Sequence, residues 1–356
     1  MASSADTSQP SSTPVCARLG CASRTSLAAA TGLAALLGSS LTLAACQREG
    51  APSQATTSSG SSERTRALEG KAPTRVASRT VLSDEILWAL GPAARGRVVG
   101  LSPLVDDPRY SQVAGRWPEA TPRLGTNPEE LLALAPELVI LASFSDPVYR
   151  AAVEDHVTLL TLDDFSGFDG YRDNLAQIGA ALVLEDEAAE LRERFDGRVA
   201  ALEARRPPPA ARPSVLCWSA VMVPGASTTF DDAATAAGFR NLAASEGIEG
   251  HQRVDVEQVV SWNPTWLVIS CEERGCADAR EALADQPGLR HMAAVTAGRV
   301  IPVEAPVLAS VGEGMLALAE QLQAALLDAP PEPGSGSGSG SGSAADEAAD
   351  AEADQG

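Results

Sequence analysis

The chain has 356 residues, 44% hydrophobic and 21% charged, an ordinary globular composition that excludes wholesale disorder and collagen-like structure. Its length suits two domains at about 100–200 residues each. A net charge of −20 argues against nucleic acid as a partner, and six scattered cysteines are too few for a disulfide scaffold or a zinc ribbon.

Residues 1–45 hold one acid, Asp6, and two bases, Arg18 and Arg24, before an uncharged run rich in Ala and Leu, Thr25–Ala45. The run closes at Leu43-Ala44-Ala45-Cys46 and turns polar at once with Gln47-Arg48-Glu49. A basic start, an apolar middle and small residues before a break describe an export signal over 1–45. Cys46, directly after the small residues, resembles the lipobox of bacterial lipoproteins. That resemblance implies diacylglycerol on the Cys46 thiol, cleavage before it, and an extracytoplasmic protein anchored by lipid to a bacterial membrane. The run is also long enough for a transmembrane anchor, but its small residues and abrupt end favour the lipoprotein. Residues 46–72 offer almost nothing to bury and read as a flexible tether.

A first α/β lobe is expected over 73–183. Val76–Ser78 and Val98–Leu101 read as strands around an amphipathic helix Ser83–Leu90, followed by a strand Val157–Leu162 and a helix Phe168–Leu182. Charged and apolar positions interleave through Glu185–Ala204, predicting one long helix in a connecting segment 184–209 that ends at Pro207-Pro208-Pro209. A second lobe, 210–328, opens with the strand Ser214–Trp218. It continues through a helix Phe230–Ala237, a strand Arg299–Val303 and a helix Gly314–Leu327. The tail 329–356 combines a Gly-Ser repeat with Glu332, Asp346, Glu347, Asp350, Glu352 and Asp354 and no base, so it cannot form a core.

One unit occurs twice. Asn127-Pro128-Glu129 begins a helical stretch that reaches Pro136 and then the apolar run Leu138–Ala142; Asp255-Val256-Glu257 begins another that reaches Pro264 and Trp266–Ser270. Asn127 and Asp255 are good N-caps, and Glu129 and Glu257 fall in the first turn, where the helix dipole favours a negative charge. Each proline stops its helix, and each apolar run suits a strand buried on both faces. Duplication at this separation, with the helix–strand alternation, predicts two α/β lobes joined by a single long helix.

The order of these features resembles the substrate-binding lipoproteins of ABC importers for iron siderophores, haem and cobalamin. The likeness covers about residues 74–328. It is carried by Arg75-Val76-Ala77-Ser78, Ser83-Asp84-Glu85-Ile86-Leu87, Arg97-Val98-Val99-Gly100, Gly125-Thr126-Asn127-Pro128-Glu129, Thr228-Thr229-Phe230-Asp231 and Ala297-Gly298-Arg299-Val300. The resemblance implies two Rossmann-like α/β lobes joined by a single long rigid helix, with a ligand cleft between the lobes. It implies a monomer that captures a metal chelate containing iron or cobalt, with no cofactor and no catalysis. It also implies delivery to an ABC permease backed by a cytoplasmic ATPase, with Glu129 and Glu257 meeting arginines of the permease. The loops Ser78-Arg79-Thr80-Val81 and Ser102 to Tyr110 depart from the family pattern and bear on which chelate is bound.

In open α/β sheets, ligands gather beyond the carboxyl ends of the strands. That rule nominates Arg79, Thr80, the stretch Asp106 to Tyr110, Arg123, Phe144 and Tyr149 in one lobe. In the other it nominates Trp218, the stretch Cys271 to Arg274, and Glu304-Ala305-Pro306. Flat rings such as Tyr110, Trp117, Phe144 and Trp218 suit a macrocycle or catecholate, and arginines suit carboxylates through paired hydrogen bonds. Trp88, Trp262 and Trp266 are expected in the core. His156, His251 and His291 lie too far apart in sequence to suggest a bare metal site. His251 reads either as an exposed loop histidine or as an axial ligand to haem or cobalt. Among Cys217, Cys271 and Cys276, a Cys271–Cys276 or a Cys217–Cys271 bond is open. No catalytic motif is present, although a bilobed extracytoplasmic enzyme or a surface sensor uncoupled from transport would share the architecture.

Overall fold

A computed structural model of the chain describes residues 71–218, 222–271 and 275–329. Cys46, Arg274, the export segment, nearly all of the tether and the tail beyond Ala329 lie outside the described residues.

The first lobe runs β1 (Val76–Ser78), α1 (Val81–Ala89), α2 (Pro92–Arg95), β2 (Val98–Gly100), α3 (Pro128–Ala133), β3 (Leu138–Ala142), α4 (Pro147–Val153), β4 (Thr158–Leu162) and α5 (Phe168–Leu182). Next comes α6 (Glu185–Glu203). The second lobe runs β5 (Ser214–Trp218), β6 (Met222–Pro224), α7 (Thr229–Ala237), β7 (Arg240–Asn241), α8 (Leu242–Ser245), β8 (His251–Arg253), α9 (Val256–Trp262) and β9 (Trp266–Cys271). It closes with α10 (Cys276–Ala284), α11 (Ala293–Thr296), β10 (Val300–Glu304), α12 (Ala305–Leu308) and α13 (Gly314–Asp328). Among the described residues, no helix is long and apolar enough to cross a membrane.

Two four-stranded parallel sheets result, ordered β2-β1-β3-β4 and β10-β9-β5-β7. Parallel neighbours need crossovers, which the intervening helices and loops provide, and these cover the sheet faces. The interior strands β3 and β5 are therefore buried at every residue. Most sequence expectations fall within one or two residues of these bounds. The strand expected over Val98–Leu101 stops at Gly100, with Leu101 making only an isolated parallel bridge to Arg123.

The repeated units take the same form. Asn127 and Asp255 each accept a backbone N–H of the helix they cap, from Glu129 and Gln258. Each helix gives way to a residue with positive φ, Ala135 or Asn263, just before its proline. The proline ring disfavours helical backbone before it, so both helices end early and the chain turns into the buried strand.

One continuous apolar core spans both lobes. It contains Val76, Ile86 and Leu138 from the first, Phe195 from α6, and Val215, Phe230 and Met315 from the second. Phe195 meets Phe168 edge-on at 5.4 Å and Tyr171 at 4.7 Å between centroids. Polar ties cross the same joint. Phe168 N donates to Asp232 Oδ2 at 2.8 Å, Arg198 makes a bidentate pair with Glu320, and Gln323 Nε2 donates to Leu202 O at 2.8 Å.

Candidate functional site

The long segment after β2 forms one wall of the cleft between the lobes. It has no regular structure, so its shape depends on local side-chain bonds. Asp107 pairs with Arg109 at 2.7 Å and also accepts its backbone N–H at 2.9 Å. Asp106 takes Arg123 bidentately at 2.7 and 3.1 Å, while the same guanidinium donates to the carbonyls of Pro118 and Thr121. Arg109 hydrogen-bonds hold the Asp107 carboxyl down at about 2, and Arg123 lowers that of Asp106. Tyr110, 45% exposed, stands beside Arg109, whose guanidinium carbon lies 5.5 Å from the ring centroid.

The opposite wall is regular and largely apolar. β6 and β8 pair antiparallel with Pro224 opposite His251, so Met222, Pro224 and His251 share one face of this two-stranded sheet. This corrects the expectation of a loop at His251: the residue is in a strand. Arg109 and Tyr110 face Met222, Phe230, His251 and Leu308 across a cavity of about 400 Å³. An adjoining cavity of about 730 Å³ shares Arg109 and Ala305 and adds Gln112, Arg116, Glu304 and Cys271. Both volumes fall within the usual range for small-molecule sites. Among the described residues, no cluster of His, Cys, Asp or Glu could hold a bare metal ion.

The nominated residues divide by environment. Tyr110 and His251 line the smaller cavity from opposite lobes. Glu304, Ala305 and Pro306 line the larger one, as the strand-end rule anticipates. Asp107, Pro108, Arg109 and Cys271 also line one or both, whereas Arg79, Thr80, Asp106, Arg123, Phe144, Tyr149 and Trp218 line neither of these cavities. Arg79 donates to the carbonyls of Leu124 and Gly125 and stacks 4.3 Å over the ring of Tyr149, which is itself buried. Burial raises the pKa of that phenol. Thr80 caps α1 by accepting from Ser83 N, and Arg123 braces its own loop. Trp218 and Trp117 are buried in the core, with Trp117 edge-on to Trp88 at 5.2 Å. Phe144 is 76% exposed and leans on Phe165 at 5.1 Å. Glu129 and Glu257 are both exposed, each in the first turn of its short helix.

Cys271 pairs with Cys276, Cα atoms 5.0 Å apart, which settles the alternatives left by the sequence. Cys217 stays a free buried thiol lining the smaller cavity, its pKa pushed up to about 12 by burial. Sequence reasoning missed Cys217, Met222, Pro224, Ser270 and Leu308 as cavity residues. Among them only Cys217 and Ser270, each near the end of a buried strand, offered a signal.

The family model for periplasmic binding proteins matches residues 76–306. Among solved structures, the periplasmic haem-binding protein BhuT in complex with two haems is 27% identical, over 73% of this chain and 99% of its own, with a TM-score of 0.59. A periplasmic haem-binding protein from Pseudomonas aeruginosa is 25% identical over 73% of this chain and 95% of its own, TM-score 0.57. An ABC-type Fe3+-hydroxamate transport protein from Saccharomonospora viridis shares the fold at 20% identity, over 72% of this chain and 93% of its own, TM-score 0.55. No curated protein sequence matches. With the family model covering most of both lobes, the chain belongs to the periplasmic binding proteins.

Proposed function

We propose that this chain captures a metal chelate outside the cytoplasm and delivers it to an ABC permease, and that the chelate is haem. The observation that carries this reading is Tyr110 and His251 lining one cavity from opposite lobes. Phenol oxygen and imidazole nitrogen are both established haem-iron ligands, and the apolar wall around Phe230 and Leu308 suits a flat macrocycle. Arg109, paired with Asp107, brings a guanidinium to the same cavity beside Tyr110. Two structural neighbours at 25% identity or more are named as haem-binding.

Delivery would use Glu129 and Glu257, one on each lobe, as carboxylate contacts for permease arginines. The lipid on Cys46 would keep the protein beside the transporter. A ferric siderophore is the second reading, favoured by the arginines Arg109 and Arg116 on the larger cavity, which suit an anionic iron complex.

The test is titration of the full-length chain with haem, ferric catecholate, ferric citrate and cobalamin, followed by tryptophan quenching and visible absorption. A saturable haem spectrum that weakens at least tenfold in Tyr110→Ala supports the proposal. Saturation with a ferric siderophore alone moves the assignment to the second reading, and no saturable response to any of the four overturns both. Consumption of the chelate would instead indicate an enzyme.

A further inference from the structure

Two adjacent acids on α1 hold opposite ends of the segment that presents Tyr110. Asp84 is fully buried and accepts from Ser102 N at 3.3 Å and from the Ser102 hydroxyl, just beyond β2. Glu85 accepts the backbone N–H of Gln112 at 2.9 Å, two residues past Tyr110. Between these points the segment has short turns, the Asp107–Arg109 and Asp106–Arg123 pairs and the buried side chain of Val105, none of which bonds Tyr110 or Gln112 to α1. Glu85 also reaches the second lobe: a Cβ added at Gly312 would lie 2.7 Å from its Oε2. Glycine at 312 therefore leaves the space in which this carboxylate sits at the joint.

Burial raises both carboxyls to about 7, against which the bonds from Ser102, Ser78 and Gln112 act. A nonpolar pair would avoid that desolvation cost, so the acids must contribute something that packing cannot. Their partners identify it. Each bonds backbone of the cleft segment, and neither lines the ligand cavities.

We propose that Asp84 and Glu85 form a two-point clamp that sets Tyr110 and Arg109 in the cavity, which makes them positioning residues for ligand capture. The proposal rests on the reading of that cavity as the chelate site. Glu85 faces Asp84 on its own helix, Gln112 and Arg116 on the cleft segment, Tyr171 on α5, Arg198 on α6 and Glu313 beside α13. An ionised carboxylate accepts an N–H more strongly than a neutral acid, so the clamp tightens as pH rises through about 7.

The experiment compares full-length wild type with Glu85→Ala, Glu85→Gln and Ser102→Ala. It measures hydrogen exchange of the amides of residues 103–112 without ligand and haem titration at pH 6 and pH 8. Glu85→Ala should speed exchange there about tenfold, leave β3 unchanged and weaken haem about tenfold, the scale of one hydrogen bond to a charged group. Glu85→Gln keeps an acceptor and should restore protection to within about threefold. It should also lack part of the wild-type change in affinity between the two pH values. Ser102→Ala, a milder change if Glu85→Ala does not fold, should speed exchange at the start of the segment. Wild-type exchange in both Glu85→Ala and Ser102→Ala overturns the clamp, as does Glu85→Gln behaving like Glu85→Ala. A wild-type chain that ignores haem overturns the ligand assignment instead, while faster exchange in the variants still supports the clamp.

Discussion

On one side of the cleft, Arg109 and Tyr110 sit on an irregular segment held by ion pairs and buried carboxylates. On the other, His251, Phe230 and Leu308 sit on a strand and two helices, with a disulfide closing the end of the neighbouring strand. The first wall is shaped by side chains bonding backbone and the second by backbone bonding itself. The first should therefore be the adjustable one, responsive to pH and single polar substitutions, and the second should behave as a fixed plate.

The largest effect should come from what the walls share. Phe195→Ala removes a fully buried aromatic of the core that both lobes share and should cost about 3–5 kcal/mol in urea unfolding. Trp88 in the first lobe and Trp266 in the second should report a single transition. Two separate transitions would mean that the walls do not stand on a common core.

Tyr110→Ala should raise the haem dissociation constant about a hundredfold, roughly 2.7 kcal/mol, and His251→Ala about tenfold, both read by absorption titration. The reverse order would show that the regular wall supplies the dominant ligand. Replacing Cys271 and Cys276 together by Ser should cost about 2 kcal/mol, the loop-closure scale for a short loop, measured by thermal unfolding. Loss of the haem site as well would make the plate less rigid than this comparison requires.

The smallest effects separate by sign two acids that bond the irregular wall, Asp106 from within it and Glu85 from α1. Asp106 is exposed and its pKa is lowered by Arg123, so its contribution is present near neutral pH and lost as pH falls below its ordinary 3.8. Asp106→Asn should therefore cost at most ~1 kcal/mol at pH 7 and nothing in strong acid. The pKa of Glu85 is raised, so its contribution is present below about 4.5 and lost as pH rises to about 7. Glu85→Gln should flatten that second slope in a series of unfolding curves.

Wherever a run of side chains had one environment, the sequence was readable. Leu138–Ala142 and Ser214–Trp218 are apolar throughout because both faces of their sheets are covered. Glu129 and Glu257 stood out because a cap, a first turn and a stopping proline are all local. The strand pair carrying His251 was not readable. His251–Arg253 is exposed and polar, and becomes a strand only by pairing with Met222–Pro224 far away in the chain. Aromatic residues near strand ends misled for a related reason, since position alone does not say whether a ring turns inward. Trp218 and Trp117 turn in, whereas Tyr110 stays out. Arg79 and Arg123 looked available for an anion until the fold supplied carbonyl oxygens for both.

The sealed sulfur of Cys217 has a bearing on how the protein matures in an oxidising compartment. Thiol–disulfide exchange needs a thiolate, and a group held at about 12 offers almost none near neutrality. Once β5 is seated, the odd cysteine is removed from competition. Among the described residues, Cys271 and Cys276 then have only each other to oxidise against.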